Sequence, residues 1–409
     1  MIKGFDIIVY EVLLVGITVV CATVFKYGLE KLRVSPIFGF IMLGFLLKVI
    51  DLYMPFLTEE IIRIYEFLAY LGIIVLLFKV GLESNLSGLV KQLKHASIIW
   101  TGNMILSGLL GYAAAFYIIG LAFIPSLLIG TALTATSVGI SISAWRDAGA
   151  LNSSQGQLLI DVAEMDDISA VILMALVFSI IPILQRNEYS GLLSELGHTA
   201  GVIFIKAILF GMLCIIFSRY LEKHVTAFFS HKESKTNHML ITVGIGFIIA
   251  SFAGLMGLSV AVGALFAGLI FSRDPEAVKI DASFDSFFEL FSPFFFIGIG
   301  LMIEPLSLTG AILPGLMFLL IAVLGKLIGN GIPSLALLDA RGALLISISM
   351  IPRAEIALLV VHQGRKLGDW ALPPHAFSAV VFVVLVTSVL TPLVLGKLFY
   401  RWSQNGAVT

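Results

Sequence analysis

Residues 156–181 read GQLLIDVAEMDDISAVILMALVFSII. An apolar run of about 18 residues or more marks a bilayer-spanning helix, and this one exceeds that length while carrying Asp161, Glu164, Asp166 and Asp167. A charged side chain at the centre of a spanning helix costs about 2.5–3.5 kcal/mol on insertion scales, so such residues are functional candidates by default. Four acids within seven residues cannot all stay ionised in a low dielectric. They must take up protons, cations or basic partners. On a helix turning about 100° per residue, Asp161, Glu164 and Asp167 form one stripe and Asp166 points about 100° away from Asp167. The Asp166–Asp167 pair is therefore the functional candidate. Asp161 and Glu164 read equally well as structural ion-pairing groups, with Asp161 near the cytoplasmic end.

The rest of the chain repeats the apolar pattern. Of 409 residues, 59% are hydrophobic and 12% charged, against the roughly 25% charged residues of a soluble domain, and the mean hydropathy is +1.05. The expected fold class is an all-α polytopic membrane protein. Apolar stretches bounded by charge or by Gly and Pro predict thirteen spans: 5–26, 36–50, 64–82, 96–120, 122–143, 156–181, 199–220, 237–257, 258–272, 285–303, 310–333, 341–362 and 375–399. The longest polar stretch, Leu221 to Asn237, reads as one solvated loop, and no soluble domain fits elsewhere. The first apolar run is long and holds Glu11, unlike a cleavable signal peptide, so it is expected to be retained. Net charge is −1, with no basic surplus for nucleic acid. Cys21 and Cys214 lie far apart in apolar runs and predict packing rather than a disulfide. Of the 25 lysines and arginines, fifteen fall in connections on one side and six on the other. Basic residues are held on the cytoplasmic side, which predicts the N-terminus outside, the C-terminus inside and an odd number of spans.

Basic partners for the acids come from distant spans. Lys326, in Leu324-Gly-Lys-Leu-Ile-Gly329, lies between small residues that let another helix approach closely; it is placed to pair with Asp166 and to act as a proton carrier. Lys79 reads equally as a partner of Glu164 or as a side chain reaching toward the cytoplasmic end beside Glu83. Lys206 has no evident partner. Two spans look broken. Thr134-Ala-Thr136-Ser137-Val-Gly139-Ile-Ser141 concentrates hydroxyls in mid-span, where they can satisfy freed backbone groups or ligate a cation. Ser347-Ile-Ser349-Met-Ile-Pro352-Arg353-Ala-Glu355 contains a proline with no N–H for the carbonyl of Ile348. Arg353 and Glu355 face different ways, and Arg353 is expected to reach Asp161 or Glu164. Discontinuous helices at corresponding positions in two halves of a chain point to the midplane site of a secondary transporter. Intramembrane aspartyl protease chemistry needs two carboxylates converging from separate helices, and adjacent Asp166 and Asp167 diverge. The seven histidines are scattered and form no His-Glu-x-x-His set, so neither an enzyme, a resident metal nor a cofactor is expected. A channel or sensor with the same polar core is the competing class.

The ordered set Thr134-Ala-Thr-Ser-Val-Gly-Ile, Asp166-Asp167, Phe294-Phe-Phe-Ile-Gly-Ile-Gly-Leu, Leu324-Gly-Lys326 and Met350-Ile-Pro-Arg-Ala-Glu355 closely resembles the second branch of the monovalent cation:proton antiporters, especially bacterial sodium/proton exchangers of the NapA type. Leu76-Leu-Phe-Lys-Val-Gly-Leu-Glu83 resembles a further segment of that family. The resemblance implies thirteen helices with an inverted repeat and two crossed broken helices. It also implies a moving core (about 96–181 and 310–399) and a dimer-forming scaffold (about 5–82 and 199–303), working as a homodimer in the cytoplasmic (inner) membrane. Carried over by position, Asp167 is the main cation and proton site, Asp166 its neighbour, and Lys326 the residue that releases Asp166 when sodium arrives. Thr136 and Ser137 lie at the first break. Asp161, Glu164, Arg353, Glu355 and Lys79 are left as a supporting ion-pair network. Adjacent aspartates are associated in the family with electrogenic exchange. The expected activity is exchange of Na+ or Li+ for H+, with potassium/proton exchange as the alternative; the lack of a nucleotide-binding domain after the last span favours sodium. Departures from the family pattern are Ala354 in place of Gly, and Glu164 and Lys79 where apolar residues are usual.

Overall fold

A computed structural model describes the backbone of residues 6–31, 34–83, 86–151, 153–185, 192–221, 235–272 and 277–404. Among these residues fifteen α-helices follow one another and no strand occurs. They are α1 (Asp6–Lys31), α2 (Pro36–Tyr53), α3 (Glu59–Glu83), α4 (Leu86–Ala113), α5 (Phe123–Thr134), α6 (Val138–Asp147), α7 (Ser154–Gln185) and α8 (Leu192–Ile216). After them come α9 (Lys235–Leu255), α10 (Val260–Phe271), α11 (Ala277–Leu301), α12 (Leu308–Leu335), α13 (Ala340–Ser349), α14 (Glu355–Lys366) and α15 (Pro374–Gln404). Each expected span is one helix except the fifth, which is α5 and α6, and the twelfth, which is α13 and α14. Several helices run further than hydropathy alone drew them, as α7 does over 32 residues. Helices continue past the apolar core until a cap or a turn stops them. Most of the polar stretch expected between Leu221 and Asn237 lies outside the described residues.

Among the described residues ten helical segments are long and apolar enough to cross a membrane. The exterior accords with that: on α1, Ile8, Val12, Val20 and Val24 are all exposed, a distribution expected where hydrocarbon rather than water surrounds the helix. By contrast, α10 is buried on nearly every side, as an all-apolar helix must be.

Packing joins distant parts of the chain. Helices α2 and α3 lie against α11, and α3 also against α10. Helix α4 packs on α5, α7 and α12, while α12 contacts α13 and α15, and α14 contacts α5. Glycines set the closest approaches. A Cβ on Gly102 of α4 would stand 2.6 Å from the carbonyl oxygen of Gly329 on α12. The pairs Gly44 with Gly300 and Gly81 with Gly268 are tighter still, each abutting the facing helix's backbone. Small residues at a crossing let backbones approach this closely where lipid offers no hydrophobic drive between helices.

Candidate functional site

The two breaks face each other. Helix α5 ends at Thr134, and Ala135, Thr136 and Ser137 are non-helical before α6 resumes. Helix α13 ends at Ser349, and residues 350–354 are non-helical before α14. Pro352 blocks continuation, since it lacks an N–H and its ring clashes with the preceding turn. The Ile348 carbonyl it leaves free accepts instead from the Ile351 N–H at 3.1 Å. The Ser137 N–H donates to the Pro352 carbonyl at 2.8 Å, tying one break to the other. Neighbouring hydroxyls satisfy the remaining backbone groups. The Ser141 hydroxyl donates to the Ser349 carbonyl at 2.7 Å, the Trp145 indole donates to the Ser349 hydroxyl at 2.8 Å, and the Arg353 N–H donates to Thr387 of α15 at 3.3 Å. Orphan polar groups at helix ends require such partners in a dry interior.

A helix C-terminus carries exposed carbonyls and a partial negative charge. At the end of α5 two cationic side chains meet those carbonyls. The Lys326 ammonium donates to the Thr134 carbonyl at 2.7 Å and to the Thr136 hydroxyl at 2.5 Å. The Arg353 guanidinium donates to the same Thr134 carbonyl at 3.2 Å and to the Ala135 carbonyl. This corrects the expected pairing of Arg353 with Asp161 or Glu164: the break supplies backbone acceptors nearer than either carboxylate.

The acids of α7 divide as their helical directions require. Asp166 is fully buried and faces α4 and α12, where Lys326 approaches at 3.3 Å and the Asn103 amide donates to the other carboxylate oxygen at 2.8 Å. Asp167 is half-buried and makes no hydrogen bond with the described residues. Asp166, Glu355, Lys326 and Glu164 lie near enough to act on it electrostatically. Thus Thr136, Ser137, Asp166, Asp167, Lys326, Arg353 and Glu355 gather around one crossing, with Glu164 beside it. Asp161, also buried, stands further along α7. Lys79 pairs with Glu83 at 3.6 Å and with Asp285 on α11, the arrangement expected of a side chain reaching toward the helix end. Lys206, for which the sequence offered no partner, lies at the α9–α10 turn, its amine 3.4 Å from where a Cβ of Gly257 would stand.

Residues not singled out in the sequence complete the site. The Asn103 carbonyl oxygen accepts from the Ser107 hydroxyl at 3.2 Å and from the Asn330 amide at 3.3 Å. Trp100 donates to the Ser169 hydroxyl at 2.8 Å, which in turn donates to the Asp166 backbone carbonyl at 3.0 Å. A signal was present: Gly102-Asn103 and Gly329-Asn330 are identical dipeptides in otherwise apolar spans.

Crossed broken helices around carboxylates and a buried lysine, inside a bundle of spanning helices, are the architecture of a membrane transporter. The sequence comparison is more specific. The profile of the family described as sodium/hydrogen exchanger, transmembrane, matches residues 16–400, and the chain belongs to that family. It is 30% identical over 335 residues to the Na(+)/H(+)-K(+) antiporter GerN of Bacillus cereus, covering 81% of this chain and 82% of that one. To the high-affinity Na(+)/H(+) antiporter NhaS3 of Synechocystis sp. it is 28% identical over 330 residues, covering 79% and 68%. The fold matches the sodium proton antiporter MjNhaP1 of Methanocaldococcus jannaschii with a TM-score of 0.73 over 96% of this chain and 99% of that one, at 15% identity.

Proposed function

We propose that the protein is a secondary active antiporter exchanging Na+ or Li+ for H+ by alternating access, with proton and cation competing for Asp167 and Asp166. The observation that carries this reading is a fully buried carboxylate beside a half-buried one: Asp166 is held by Lys326 and Asn103, while Asp167 accepts no hydrogen bond from the described residues. A hard monovalent cation prefers oxygen ligands, and the carboxylates supply anionic ones, with the hydroxyls of Thr136 and Ser137 at the adjacent break. Lys326 is already held more closely by the α5 break, at 2.5 and 2.7 Å, than by Asp166 at 3.3 Å. It can therefore yield Asp166 to an arriving cation and give up a proton, its neutral amine keeping those two hydrogen bonds, whereas leaving as an unpaired buried charge would cost several kcal/mol. Return of protons to Asp167 and Lys326 restores the Lys326–Asp166 pair and expels the cation. Asp167 and Lys326 each give up one proton as the cation binds, so the exchange moves two protons per sodium ion and is electrogenic.

The relatives' names support sodium, and one of them also names potassium; potassium/proton exchange is the second reading for that reason. The orientation follows the lysine and arginine bias, with the C-terminus in the cytoplasm. Helices α4–α7 with α12–α15 form the moving core, and α1–α3 with α8–α11 form the scaffold and dimer interface in the cytoplasmic membrane. Asp161, Glu164, Glu355 and Arg353 set the field around the site, and Lys79 anchors α3 to α11.

The test is dissipation of a pH gradient in proteoliposomes on addition of sodium, lithium or potassium, with wild type beside Asp167→Asn. Sodium and lithium responses that fall at least about a hundredfold in the variant, as expected when a group shared by both substrates is removed, support the reading. Full exchange by Asp167→Asn overturns it, and a response to potassium alone moves the protein to the second reading.

A further inference from the structure

We propose that Asn103 is a positioning residue for the exchange, clamped by Asn330 and Ser107 so that its amide holds the Asp166 carboxylate in the cation-receiving orientation. The inference rests on the antiporter reading above and adds to it a residue on a helix that contributes neither a carboxylate nor a break.

The geometry allows only one orientation of the Asn103 side chain. Its oxygen accepts from two donors, the Ser107 hydroxyl at 3.2 Å and the Asn330 amide at 3.3 Å. An amide nitrogen has no acceptor capacity, so a flip would set the Asn103 N–H groups against the Asn330 amide nitrogen and turn the Asn103 oxygen toward the Asp166 carboxylate, removing both bonds; the Ser107 hydroxyl, which can donate or accept, follows the orientation these two set. The nitrogen must therefore face Asp166, where it donates at 2.8 Å. Asn330 is fixed in turn, since its amide also donates to the Lys326 carbonyl at 3.0 Å, one turn back on α12. The backbones of Gly102 and Gly329 nearly touch at this crossing, and each is followed by its asparagine. Close contact of the two helices thus brings the two amides together. All three of Asn103, Asn330 and Ser107 are buried, so a lost partner is not replaced by bulk water.

The consequence concerns the moment at which Lys326 lets go. Asp166 then retains one donor, and it is neutral, so it neither competes with the cation by charge nor leaves with the lysine. Without that donor the carboxylate samples other rotamers, and only the fraction in the receiving orientation binds. Apparent affinity falls by that fraction, while turnover at saturating cation is preserved.

The experiment compares wild type with Asn103→Leu, Asn103→Gln and Asn330→Ala in proteoliposomes, reading the sodium concentration for half-maximal exchange separately from the maximal rate. Each variant is first checked for monodisperse elution and thermal unfolding. Asn103→Leu is expected to raise half-saturation by about tenfold or more, the worth of a hydrogen bond to a charged group, with a maximal rate within about threefold of wild type on the same argument. Asn103→Gln, which keeps the amide on a longer arm, is expected to recover part of the shift, and Asn330→Ala to produce a smaller shift in the same direction. If Asn103→Leu does not fold, Asn330→Ala decides the matter. Half-saturation unchanged in the folded variants, or a loss confined to the maximal rate, overturns the inference and leaves the antiporter reading standing. Absence of sodium-dependent exchange in wild type overturns that reading, and this inference with it.

Discussion

Lys326 and Asp166 are both completely buried, and a pair of charges in that setting is held together by the cost of separating it rather than by any large net gain. Removing one partner is therefore far worse than removing both. Lys326→Gln is expected to destabilise the protein by about 3–5 kcal/mol, seen as a lower midpoint of thermal unfolding in detergent. The double variant Asp166→Asn with Lys326→Gln should recover more than half of that loss. Equal midpoints for the single and double variants would show that the two side chains are not energetically coupled. At this scale the sequence was informative wherever a residue was anomalous for its surroundings. Carboxylates and a lysine in apolar runs stand out because hydrocarbon penalises them. Asn103 and Asn330 carry no charge and do not stand out in this way, and the partners of Arg353 are not the carboxylates that its charge suggests. Its acceptors are the Thr134 and Ala135 carbonyls, backbone groups that every residue has and no sequence pattern distinguishes.

Hydropathy and breakers delimited the helices well, because length, Pro352 and the hydroxyl cluster before Ser141 are local properties. Which helices touch is not local. The Gly44–Gly300 and Gly81–Gly268 contacts join helices more than 180 residues apart in the chain, and nothing in either segment alone names its partner. These contacts make a graded prediction. A methyl at Gly44 or Gly81 would run into the facing backbone, so Gly44→Ala and Gly81→Ala should each cost about 1–3 kcal/mol by overpacking. Gly16 and Gly28 of α1 have nothing within 4 Å, and alanine there should be neutral or slightly stabilising through helix propensity. Thermal unfolding of the four variants side by side measures the difference; a Gly44→Ala protein as stable as Gly16→Ala would mean that the α2–α11 approach is looser than described.

For the molecule as a whole, competition between two substrates for one set of carboxylates fixes the sign of its pH response. Each proton bound at the shared site must leave before sodium binds, so half-saturating sodium should rise as pH falls, by up to about tenfold per pH unit if one proton is displaced, and sodium should lower proton affinity by the same factor. Maximal rates at saturating sodium should change much less. Exchange titrated with sodium at three pH values checks this, and half-saturation independent of pH would exclude a shared site. How the two breaks respond together is set by the bond from the Ser137 N–H to the Pro352 carbonyl. Both of its atoms belong to the main chain, so every substitution at either position other than Ser137→Pro leaves donor and acceptor in place. A genetic screen of this protein therefore reaches that joint directly only through Ser137→Pro, which removes the N–H but also imposes proline's fixed φ. Replacing the Ser137 amide by an ester, which removes the N–H while keeping the side chain and the planar trans linkage, is the chemical change that exposes how much the crossing depends on it.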